Sequence, residues 1–499
     1  MKILFLFKSE NYIAPIGPMY ISAMARNAGH ETYLIDTNQA DYMEHVRQLK
    51  PDIVAYSSST GESKHYIAMN HKIKESFPSI FTIMGGPHPT FYPEMVYETT
   101  LDAVCIGEGE DAIIDVVNTL AAGKPVRGIP NIFTRDEKTW TVRNLVEDLD
   151  SLPIPDYELL YNNTTMGSYP LKSFITSRGC PYPCTYCFNT AWRKIYHDKG
   201  KIVRKQSVGR VIEEIRKVKE KWPLTTVKFY DDMFCYQADG WLEEFAEKYR
   251  KEIDLPFFAL TRCDLVTEDM VKLLKYAGCR TLSMSIEAGN EKARRETLKR
   301  NMSDKQIIEA HRLCEKYGIY TFTNCIIGLP GTTLKEDIES LDLSLKCRVD
   351  WAEFLIFHPF PRTELGDQVI NQGMYTPDYH HMHTSYLYES PLRSFTARDK
   401  MIQRNLSVLG CVCVVLPWLR NLTVNHLLYW RPNKLFTLLY WATKMYTIRR
   451  KIYVTKTTRI QSIKIYLRSL HQELFRHSQD VVPEEQIRLT KLVANAQSK

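Results

Sequence analysis

Residues Ser177-Arg-Gly-Cys-Pro-Tyr-Pro-Cys-Thr-Tyr-Cys-Phe-Asn189 place three cysteines within a short loop, at positions 180, 184 and 187. Thiolates with this spacing can converge on one iron–sulfur cluster. A cubane cluster has four irons, so three protein ligands leave one iron open to an outside ligand. Structural zinc sites usually have four ligands in paired Cys-x2-Cys spacing, and the chain has no second pair of that kind. The spacing therefore favours a cluster over zinc.

The residues around the cysteines add to this pattern. Arg178-Gly179 precedes the first cysteine, two prolines disfavour a helix, and Tyr186 precedes the third cysteine. With these features the segment resembles the cluster loop of the radical S-adenosylmethionine (SAM) superfamily. The resemblance implies a [4Fe–4S] cluster held by Cys180, Cys184 and Cys187, whose open iron takes the amino and carboxylate groups of SAM. It also implies one-electron cleavage of SAM to methionine and a 5′-deoxyadenosyl radical.

Composition and length indicate a folded protein of several domains. The chain has 499 residues, 44% hydrophobic and 25% charged, which is typical of about three globular domains. Twelve scattered cysteines and the lack of a signal-peptide pattern predict free thiols in a reducing cytoplasm. The net charge is +7, but residues 400–472 contain 13 Lys or Arg and no Asp or Glu, which leaves −6 for the rest.

Residues 1–145 alternate apolar strand patterns with helical patterns, which predicts a Rossmann-like, doubly wound parallel sheet. Small residues follow the strand ends, where open α/β sheets bind ligands. The candidate binding residues there are Ser58, Gly85, Gly86 and Gly107. The alternative is that these glycines only form tight turns. Residues 131–142 are predicted to form a small hairpin.

The sequences Gly85-Gly-Pro-His-Pro89 and Gly107-Glu-Gly-Glu110 stand before the cysteine loop. In that position they resemble the cobalamin-binding domain of cobalamin-dependent radical SAM enzymes, the branch that contains anaerobic Mg-protoporphyrin cyclase and P-methylase. The Asp-x-His-x-x-Gly pattern of histidine-ligated cobalamin is absent, so no lower axial ligand is assigned. His88 is interpreted as a loop residue rather than a cobalt ligand.

Residues 146–170 are acidic and contain prolines, and are predicted to be a linker. Residues 171–375 contain six strand–helix units, which predict a (β/α)6 partial barrel with its chemistry at the carboxyl ends of the strands. The predicted strand cores are 174–175, 227–230, 257–260, 281–286, 320–327 and 352–357. Thr267 and Ser303 are predicted to cap two of the helices.

Polar residues at the strand ends are candidates for SAM binding. By resemblance, Asp231 or Asp232 contacts the methionine amino group, although the family more often has Gly-Gly-Glu there; a helix cap is the alternative. Glu287 resembles the acid on the fourth strand that touches SAM. Arg262 is a candidate partner for the methionine carboxylate, or for a structural Arg–Glu pair. Ser285 and Tyr186 complete the predicted cofactor-binding set.

Residues 376–499 are predicted to be mainly helical, with bases interleaved among tryptophans and tyrosines between positions 416 and 466. Three interpretations compete: a cap over the barrel mouth, a helix on a membrane surface, and a nucleic-acid patch. The cap ranks first and membrane contact second, and nucleic acid is not expected because no RNA-binding module is recognisable. The histidine-rich stretch 375–388 is interpreted as a solvated or substrate-facing loop rather than a metal site. The tail after Gln479 is polar.

The resulting hypothesis is a cobalamin-dependent radical SAM enzyme that methylates an unactivated carbon of a small-molecule or lipid substrate. An oxidative cyclase or rearrangement enzyme with the same cofactors is the first alternative, and a non-catalytic cobalamin sensor is the second. The resemblance implies a reducing partner such as flavodoxin or ferredoxin. No acid–base catalytic set is recognisable, so no catalytic side chain is assigned. The predicted location is the cytoplasm, with contact to a membrane surface.

Overall fold

The computed structural model describes residues 1–8, 14–382, 387 and 389–454. His383 and the polar tail after Gln479 lie outside the described residues. In chain order the described residues form an α/β domain, a six-stranded half-barrel and a set of C-terminal helices. The predicted fold class is therefore confirmed.

The first domain is a twisted sheet with helices on both faces. Its strands are β1 (Lys2–Phe7), β2 (Glu31–Asp36), β3 (Ile53–Ser57), β4 (Phe81–Gly85), β5 (Ala103–Cys105) and β6 (Ile132–Thr134). Its helices are α1 (Ile16–Asn27), α2 (Tyr42–Leu49), α3 (Ser63–Ser76), α4 (Pro87–Phe91), α5 (Met95–Glu98) and α6 (Glu110–Ala121). The strand order is β2-β1-β3-β4-β5-β6, and only β6 runs antiparallel to its neighbour.

The predicted hairpin at 131–142 is wrong. β6 pairs antiparallel with β5 at the edge of the sheet, and residues 135–142 form no second strand, although the Asn131 N–H donates to the Thr141 carbonyl at 2.7 Å. A buried three-residue strand gains more from the open edge of an existing sheet than from an isolated two-stranded ribbon, which is marginally stable in water.

The acidic segment 146–170 is packed against both neighbouring regions. It contains helix α7 (Tyr157–Tyr161), whose start is capped by the carboxylate of Asp156 accepting from the Leu159 backbone N–H at 3.0 Å. The same carboxylate accepts from the Ser22 hydroxyl at 2.7 Å and pairs with Arg26 at 3.1 Å. The predicted linker is therefore held against the first domain by a hydrogen bond and an ion pair.

The second domain is a half-barrel. Its helices are α8 (Phe188–Ile195), α9 (Val208–Lys221), α10 (Gly240–Lys248), α11 (Glu268–Ala277), α12 (Asp304–Lys316), α13 (Leu334–Lys346) and α14 (Glu364–Asn371). Its strands are β7 (Leu171–Phe174), β8 (Ser177–Arg178), β9 (Arg204–Lys205), β10 (Thr226–Phe229), β11 (Phe257–Thr261), β12 (Cys279–Met284), β13 (Tyr320–Ile327) and β14 (Trp351–Ile356).

The six predicted barrel strands are all present. They run parallel in the order β7-β10-β11-β12-β13-β14. The predicted caps are also confirmed, since Thr267 accepts from the Met270 N–H and Ser303 forms a capping box with Gln306. The antiparallel pair of β8 and β9 was not predicted; β8 directly precedes the cysteine loop and β9 follows α8.

The C-terminal helices are α15 (Ala397–Val415), α16 (Arg420–Asn425) and α17 (Lys434–Thr447). Helix α15 packs along β14, the last strand of the half-barrel, and α17 packs on α15. At Gly410 a Cβ would come within 2.8 Å of the Phe354 ring, so the glycine permits this close approach. No helix among the described residues combines the length and apolarity needed to cross a bilayer.

For the described part of the basic aromatic stretch, residues 416–454, the predicted cap over the barrel mouth is wrong. Residues 450–454 lie beneath the opposite end of the barrel, where the Thr226 and Thr281 hydroxyls donate to the carbonyls of Val454 and Ile452 at 2.8 and 3.0 Å. The open strand β14 leaves an apolar surface and unpaired backbone, and the apolar helix α15 buries it. The position of the C-terminal helices is therefore decided by the burial of the β14 edge and not by the barrel mouth.

A buried carboxylate fastens these helices to the barrel. Glu353 on β14 accepts hydrogen bonds from the Trp351 indole at 2.8 Å and the Tyr440 hydroxyl at 2.9 Å, and pairs with Lys444 at 3.0 Å. Tyr440 and Lys444 come from α17, and the Cys411 thiol on α15 lies 4.0 Å from the same carboxylate. An ionised group this far from water is tolerated only because each of its oxygens has donors.

Removing one of these donors tests the attachment. We expect Tyr440→Phe to lower the free energy of unfolding by about 1–3 kcal/mol, because it leaves a buried carboxylate oxygen with one donor fewer. Tyr446→Phe on the same helix removes an exposed hydroxyl and should cost less than about 0.5 kcal/mol. Urea unfolding of both variants measures the difference, and equal losses would contradict the assignment.

Candidate functional site

The three cysteines lie at the carboxyl end of the barrel, in the loop between β8 and α8. Asp231, at the end of β10, anchors the start of this loop: one carboxylate oxygen accepts from the Thr176 N–H at 3.0 Å, the Thr176 hydroxyl at 2.8 Å and the Ser177 hydroxyl at 2.5 Å. Farther along the loop, the Cys187 N–H donates to the Cys184 carbonyl at 3.2 Å. The loop is therefore held by hydrogen bonds before any ligand binds.

The surroundings of the cysteines suit thiolates that bind iron. Burial, together with the negative charges of Asp232, Cys184 and Cys180, raises the pKa of Cys187 to about 12. Iron ions would reverse this penalty, because a coordinated thiol loses its proton. N–H groups of Arg262 and Arg300 lie 3.8 and 3.9 Å from the Cys184 sulfur. Hydrogen bonds of this kind tune the potential of a cluster.

No group of three or more His, Cys, Asp or Glu side chains in the described part of the chain is arranged to hold a single metal ion. A cubane places a different demand on its ligands, because each thiolate binds a separate iron. The donor set of Cys180, Cys184 and Cys187 matches that demand in number and in type.

Of the two predicted acids, Asp231 and Asp232, only the second faces the site. Asp231 is buried and anchors the loop through Oδ1, while its Oδ2 is buried without a hydrogen-bond partner among the described residues and Asp231 does not line the cavity. Asp232 lies on the wall of the large cavity next to the cysteines. Burial raises the pKa of Asp232, and hydrogen bonds from Asn189 and the Gly179 backbone only partly offset this effect. Asp232 is therefore the better placed of the two for a positively charged ligand group.

Arg262 lies beside the cluster loop with its guanidinium already paired. It binds Asp264 through two hydrogen bonds of 2.9 Å and stacks 3.8 Å from the centre of the Tyr182 ring. The structural partner considered from the sequence was a glutamate, whereas the observed partner is Asp264. The predicted contact of Arg262 with the SAM carboxylate stays a prediction.

Glu287 adopts an uncommon backbone conformation at the end of the fourth barrel strand. Its φ is +66°, its N–H donates to the Asn324 carbonyl at 3.0 Å and its own carbonyl accepts from Ile326 at 2.6 Å. Burial raises the pKa of its carboxyl, while the charge of Arg300 and hydrogen bonds with Tyr186 and Ser285 act against burial. The structure thus brings together three predicted residues, Tyr186, Ser285 and Glu287.

Arg300 is a site residue that the sequence analysis missed. It donates to the Ser285 carbonyl at 2.9 Å and approaches the Cys184 sulfur, so it connects the cluster loop with the Glu287 strand end. It follows no strand and belongs to no recognised motif. No sequence signal available in a single chain could have identified it.

A cavity of about 550 Å³ separates the cysteine loop from the first domain, a volume typical of cofactor sites. Its first-domain wall consists of strand ends and the glycines that follow them, including three predicted residues: Gly85, Gly86 and Gly107. Its barrel wall includes Gly179 and Asn189 of the cluster loop and the rings of Phe188 and Trp192. Ser57 lines the cavity, whereas the predicted Ser58 is not among the lining residues.

Gly86 and Gly107 permit close packing of their turns as well as access to the cavity. At Gly86, with φ +93°, a Cβ would come within 2.8 Å of the Ser58 backbone nitrogen. At Gly107, with φ +77°, a Cβ would overlap the Tyr196 hydroxyl. The turn interpretation is therefore correct for both residues. It is compatible with ligand binding, since the same turns leave the cavity wall free of side chains.

The chemistry of this cavity fits a cobalamin. Phe5, Ala55, Ile83 and Cys105 form an apolar slot that runs between the strand ends. A bulky planar cofactor with an extended tail needs such a slot beside an open, glycine-lined wall. Among the residues that the structure describes, no histidine lines the cavity. His88 is buried against Tyr92 and His380 outside the cavity wall, with ring centres 5.8 Å apart in both cases. Its interpretation as a loop residue is wrong, because the chain enters helix α4 directly at Pro87 and His88 lies within that helix.

Buried ion pairs of Arg178 and Arg204 with Glu108 and Glu110 join the two walls of the cavity, and we call them the clamp. Arg178, two residues before Cys180, pairs with Glu108 at 3.1 Å and with Glu110 at 2.6 Å. Arg204 on β9 pairs with Glu108 at 2.6 Å. Burial by itself raises the pKa of Glu108, but the two arginines outweigh it, and the net shift is downward. The motifs Arg178-Gly179 and Gly107-Glu-Gly-Glu110 were both recognised in the sequence. Their opposite charges at facing strand ends could have suggested this pairing.

Arg178 is the residue through which this clamp can be tested. We expect Arg178→Gln to lower the free energy of unfolding by about 3 kcal/mol, because it leaves buried carboxylates short of a partner. The exposed interdomain pair of Arg362 with Glu94, with side chains 36% and 46% exposed, supplies the matched control. Arg362→Gln should cost at most about 1 kcal/mol.

The pH dependence of the same pair of proteins gives a second readout. Because the folded pKa of Glu108 is lowered, its stabilising effect is complete above the free-carboxyl pKa of about 4.3 and disappears as the pH falls through the lower folded value. The difference between Arg178→Gln and the native protein in urea unfolding should therefore shrink in acid. A difference that is the same at neutral and acidic pH would contradict the clamp.

Comparison with known proteins gives two family matches. The model of the B12 binding domain matches residues 3–117, and the model of the radical SAM superfamily matches residues 174–344. These segments are the first domain and most of the half-barrel. The cavity and the cysteine loop thus lie at the junction of the two matched regions.

Curated relatives extend over most of the chain. The uncharacterized methyltransferase PH0819 of Pyrococcus horikoshii is 28% identical over 72% of this chain and 79% of its own length. The cytidylyl-2-hydroxyethylphosphonate methyltransferase of Streptomyces wedmorensis is 23% identical over 73% and 79%. An anaerobic magnesium-protoporphyrin IX monomethyl ester cyclase of Cereibacter sphaeroides is 24% identical over 71% and 61%.

Solved structures share the fold. The radical SAM methyltransferase TsrM of Kitasatospora setae, solved with tryptophan and a SAM analogue, superposes with a TM-score of 0.63 at 16% identity, covering 79% of this chain and 81% of that one. The cobalamin-dependent radical enzyme OxsB, solved with aqua-cobalamin and SAM, gives a TM-score of 0.60 at 18% identity, covering 99% and 75%.

Proposed function

The chain is a cobalamin-dependent radical SAM enzyme with an N-terminal B12-binding domain, and we propose that it transfers a methyl group to an unactivated carbon. The observation that carries the proposal is the cavity, because one wall is the strand edge of the B12-binding domain and the other is the cluster loop. Two of the relatives described above are methyltransferases by name. When bound, the cluster and SAM supply a 5′-deoxyadenosyl radical, and cobalamin supplies the methyl group.

The protein's own residues position and shield these groups. Cys180, Cys184 and Cys187 would hold the cluster, and the N–H groups of Arg262 and Arg300 would stabilise the negative charge on the Cys184 sulfur. Asp232, after β10, and Glu287, after β12, are the candidates to receive the amino group of SAM, since both are carboxylates at the carboxyl ends of barrel strands. A radical reaction needs no general base, which agrees with a site built from ligands and packing side chains.

The first-domain wall would hold the cobalamin. Gly85, Gly86 and Gly107 leave room for the corrin ring, and the slot beside Ala55 and Ile83 would take its tail. Phe188 and Trp192 line the opposite wall and would exclude water from the space between the two cofactors. Water exclusion matters here, because it protects a reactive intermediate from side reactions.

Cluster binding is tested by iron and sulfide quantification after anaerobic reconstitution. We expect Cys184→Ala to lose most of its iron, its cluster absorbance and all cleavage of SAM to 5′-deoxyadenosine, because two thiolates do not hold a cubane. Cys347→Ala removes a buried thiol in the half-barrel, away from the loop, and should keep all three. An iron-free native protein, or a cluster retained in Cys184→Ala, would overturn the ligand assignment.

Methyl transfer is distinguished from cyclisation by the fate of SAM. The cyclase relatives favour an oxidative reaction with the same cofactors as the second candidate. We expect reduced holoenzyme, given SAM with a deuterated methyl group and a small-molecule extract of the source cells, to yield a product that carries the label. S-adenosylhomocysteine and 5′-deoxyadenosine should form together, since one SAM remethylates the cofactor and another makes the radical.

Each other outcome selects a different function. A product that has lost hydrogen but carries no label, with 5′-deoxyadenosine as the sole SAM product, would establish the oxidative reaction. A protein with an intact, reducible cluster that forms no 5′-deoxyadenosine would be the non-catalytic sensor. Mass spectrometry of the product and of both nucleosides measures all three cases.

A further inference from the structure

Helix α17 is apolar on two faces, and only one of them is packed against the protein. Phe436, Tyr440 and Trp441 are buried against α15 and the barrel. Leu435, Leu438, Leu439, Ala442 and Tyr446 are exposed and follow one another at helical spacing. Residues three and four apart share one side of a helix, so these side chains form a continuous apolar stripe on the outer surface.

The stripe belongs to a larger exposed apolar patch. Of the ten large hydrophobic side chains that are exposed in the described part of the chain, eight lie between Trp418 and Tyr446. Trp418 is 75% exposed and Trp430 is 57% exposed. Scattered single hydrophobic residues are ordinary on protein surfaces, but a concentration of this kind marks an interaction site. We call residues 417–446 with the flanking bases the α17 surface.

The exposed charges at both ends of α17 are basic, while Arg420 in the same surface pairs with Asp342 of α13. Arg431 and Lys434 are exposed at the start of α17, and Arg449 and Arg450 are exposed just beyond its end. By contrast, Lys444 and Lys451 face inward and pair with Glu353 and Asp350. No acidic residue occurs between positions 400 and 472, although the rest of the chain carries a net charge of −6.

We propose that the α17 surface rests on an anionic phospholipid bilayer. A helix that presents leucines and aromatic rings between clusters of bases lies in the plane of such an interface, with its apolar side at the headgroup–acyl boundary. Each Lys or Arg near the surface adds attraction to anionic headgroups. The 14 residues of α17 are fewer than the roughly 20 that a spanning helix needs, so the helix lies on the membrane.

The location of the α17 surface separates this proposal from the catalytic one. None of the residues that line the cavity comes from 397–454. Substitutions on the exposed stripe should therefore leave the cluster, cobalamin binding and SAM cleavage unchanged. Membrane binding and catalysis can then fail independently of each other.

Flotation with vesicles tests the proposal on the full-length holoenzyme. We expect it to float with vesicles of phosphatidylcholine and phosphatidylglycerol at low salt, and to bind phosphatidylcholine alone at least tenfold more weakly. Binding should weaken as salt screens the bases. Arg449→Gln with Arg450→Gln should weaken binding to the anionic vesicles by about 25-fold, at about fivefold for each base removed.

Variants of the apolar stripe test its role directly. Leu435→Glu with Leu438→Glu should abolish flotation, because it places charges in the headgroup–acyl boundary. Tyr276→Glu changes a comparably exposed ring on α11, 49% exposed, and should bind as the native protein does. Melting temperatures and SAM cleavage of all variants should match those of the native protein.

Three results would overturn the proposal. The first is a holoenzyme that fails to float with anionic vesicles at low salt. The second is a double leucine variant with a much lower melting temperature, which would show that the stripe is covered by the chain itself. The third is a native protein that sediments as a dimer and a leucine variant that sediments as a monomer, which would identify a second copy as the occupant.

Discussion

The architecture depends on one loop being held from two sides. Asp231 anchors the start of the cysteine loop within the barrel through Thr176 and Ser177. Arg178, the next residue along, reaches across to Glu108 and Glu110 of the first domain. A buried pair of this kind is weak evidence of net stability, because desolvation offsets much of the attraction. Its contribution is geometric, because it fixes the position of the cluster loop relative to the B12-binding wall.

This constraint explains where the cavity lies. Open α/β sheets and barrels both bind ligands at the carboxyl ends of their strands. When the clamp brings the two sets of strand ends face to face, the space left between them is bounded by glycine turns on one side and by the cysteine loop on the other. Radical chemistry that passes between two cofactors needs such a shared, dry compartment, and each domain alone would offer only an open surface.

The C-terminal helices solve a different physical problem, the exposed edge of an incomplete barrel. Helix α15 buries that edge, and Glu353 ties α17 to it through Tyr440 and Lys444. Tyr440 and Lys444 of α17 make this attachment, and on its other side three leucines, Ala442 and Tyr446 face outward. The same helix thereby completes the fold and presents the exposed apolar surface that we propose contacts a membrane.

The sequence by itself determined the local features. The spacing of Cys180, Cys184 and Cys187 and the six strand patterns were legible, because ligand spacing and apolar runs are properties of short segments. The caps at Thr267 and Ser303 were legible for the same reason. The coarse order of an α/β domain followed by a half-barrel also followed from the alternation of strands and helices.

Only the tertiary structure decided which distant groups meet. Arg300 approaches Cys184 from more than a hundred positions away, Arg178 selects Glu108 and Glu110, and α15 covers β14 instead of the barrel mouth. Periodicity shows that α17 has apolar residues all round, but it does not show which face is packed. The physical reason is common to all these cases: side-chain pairing and burial depend on the relative placement of whole elements, which is a property of the assembled chain and of no segment within it.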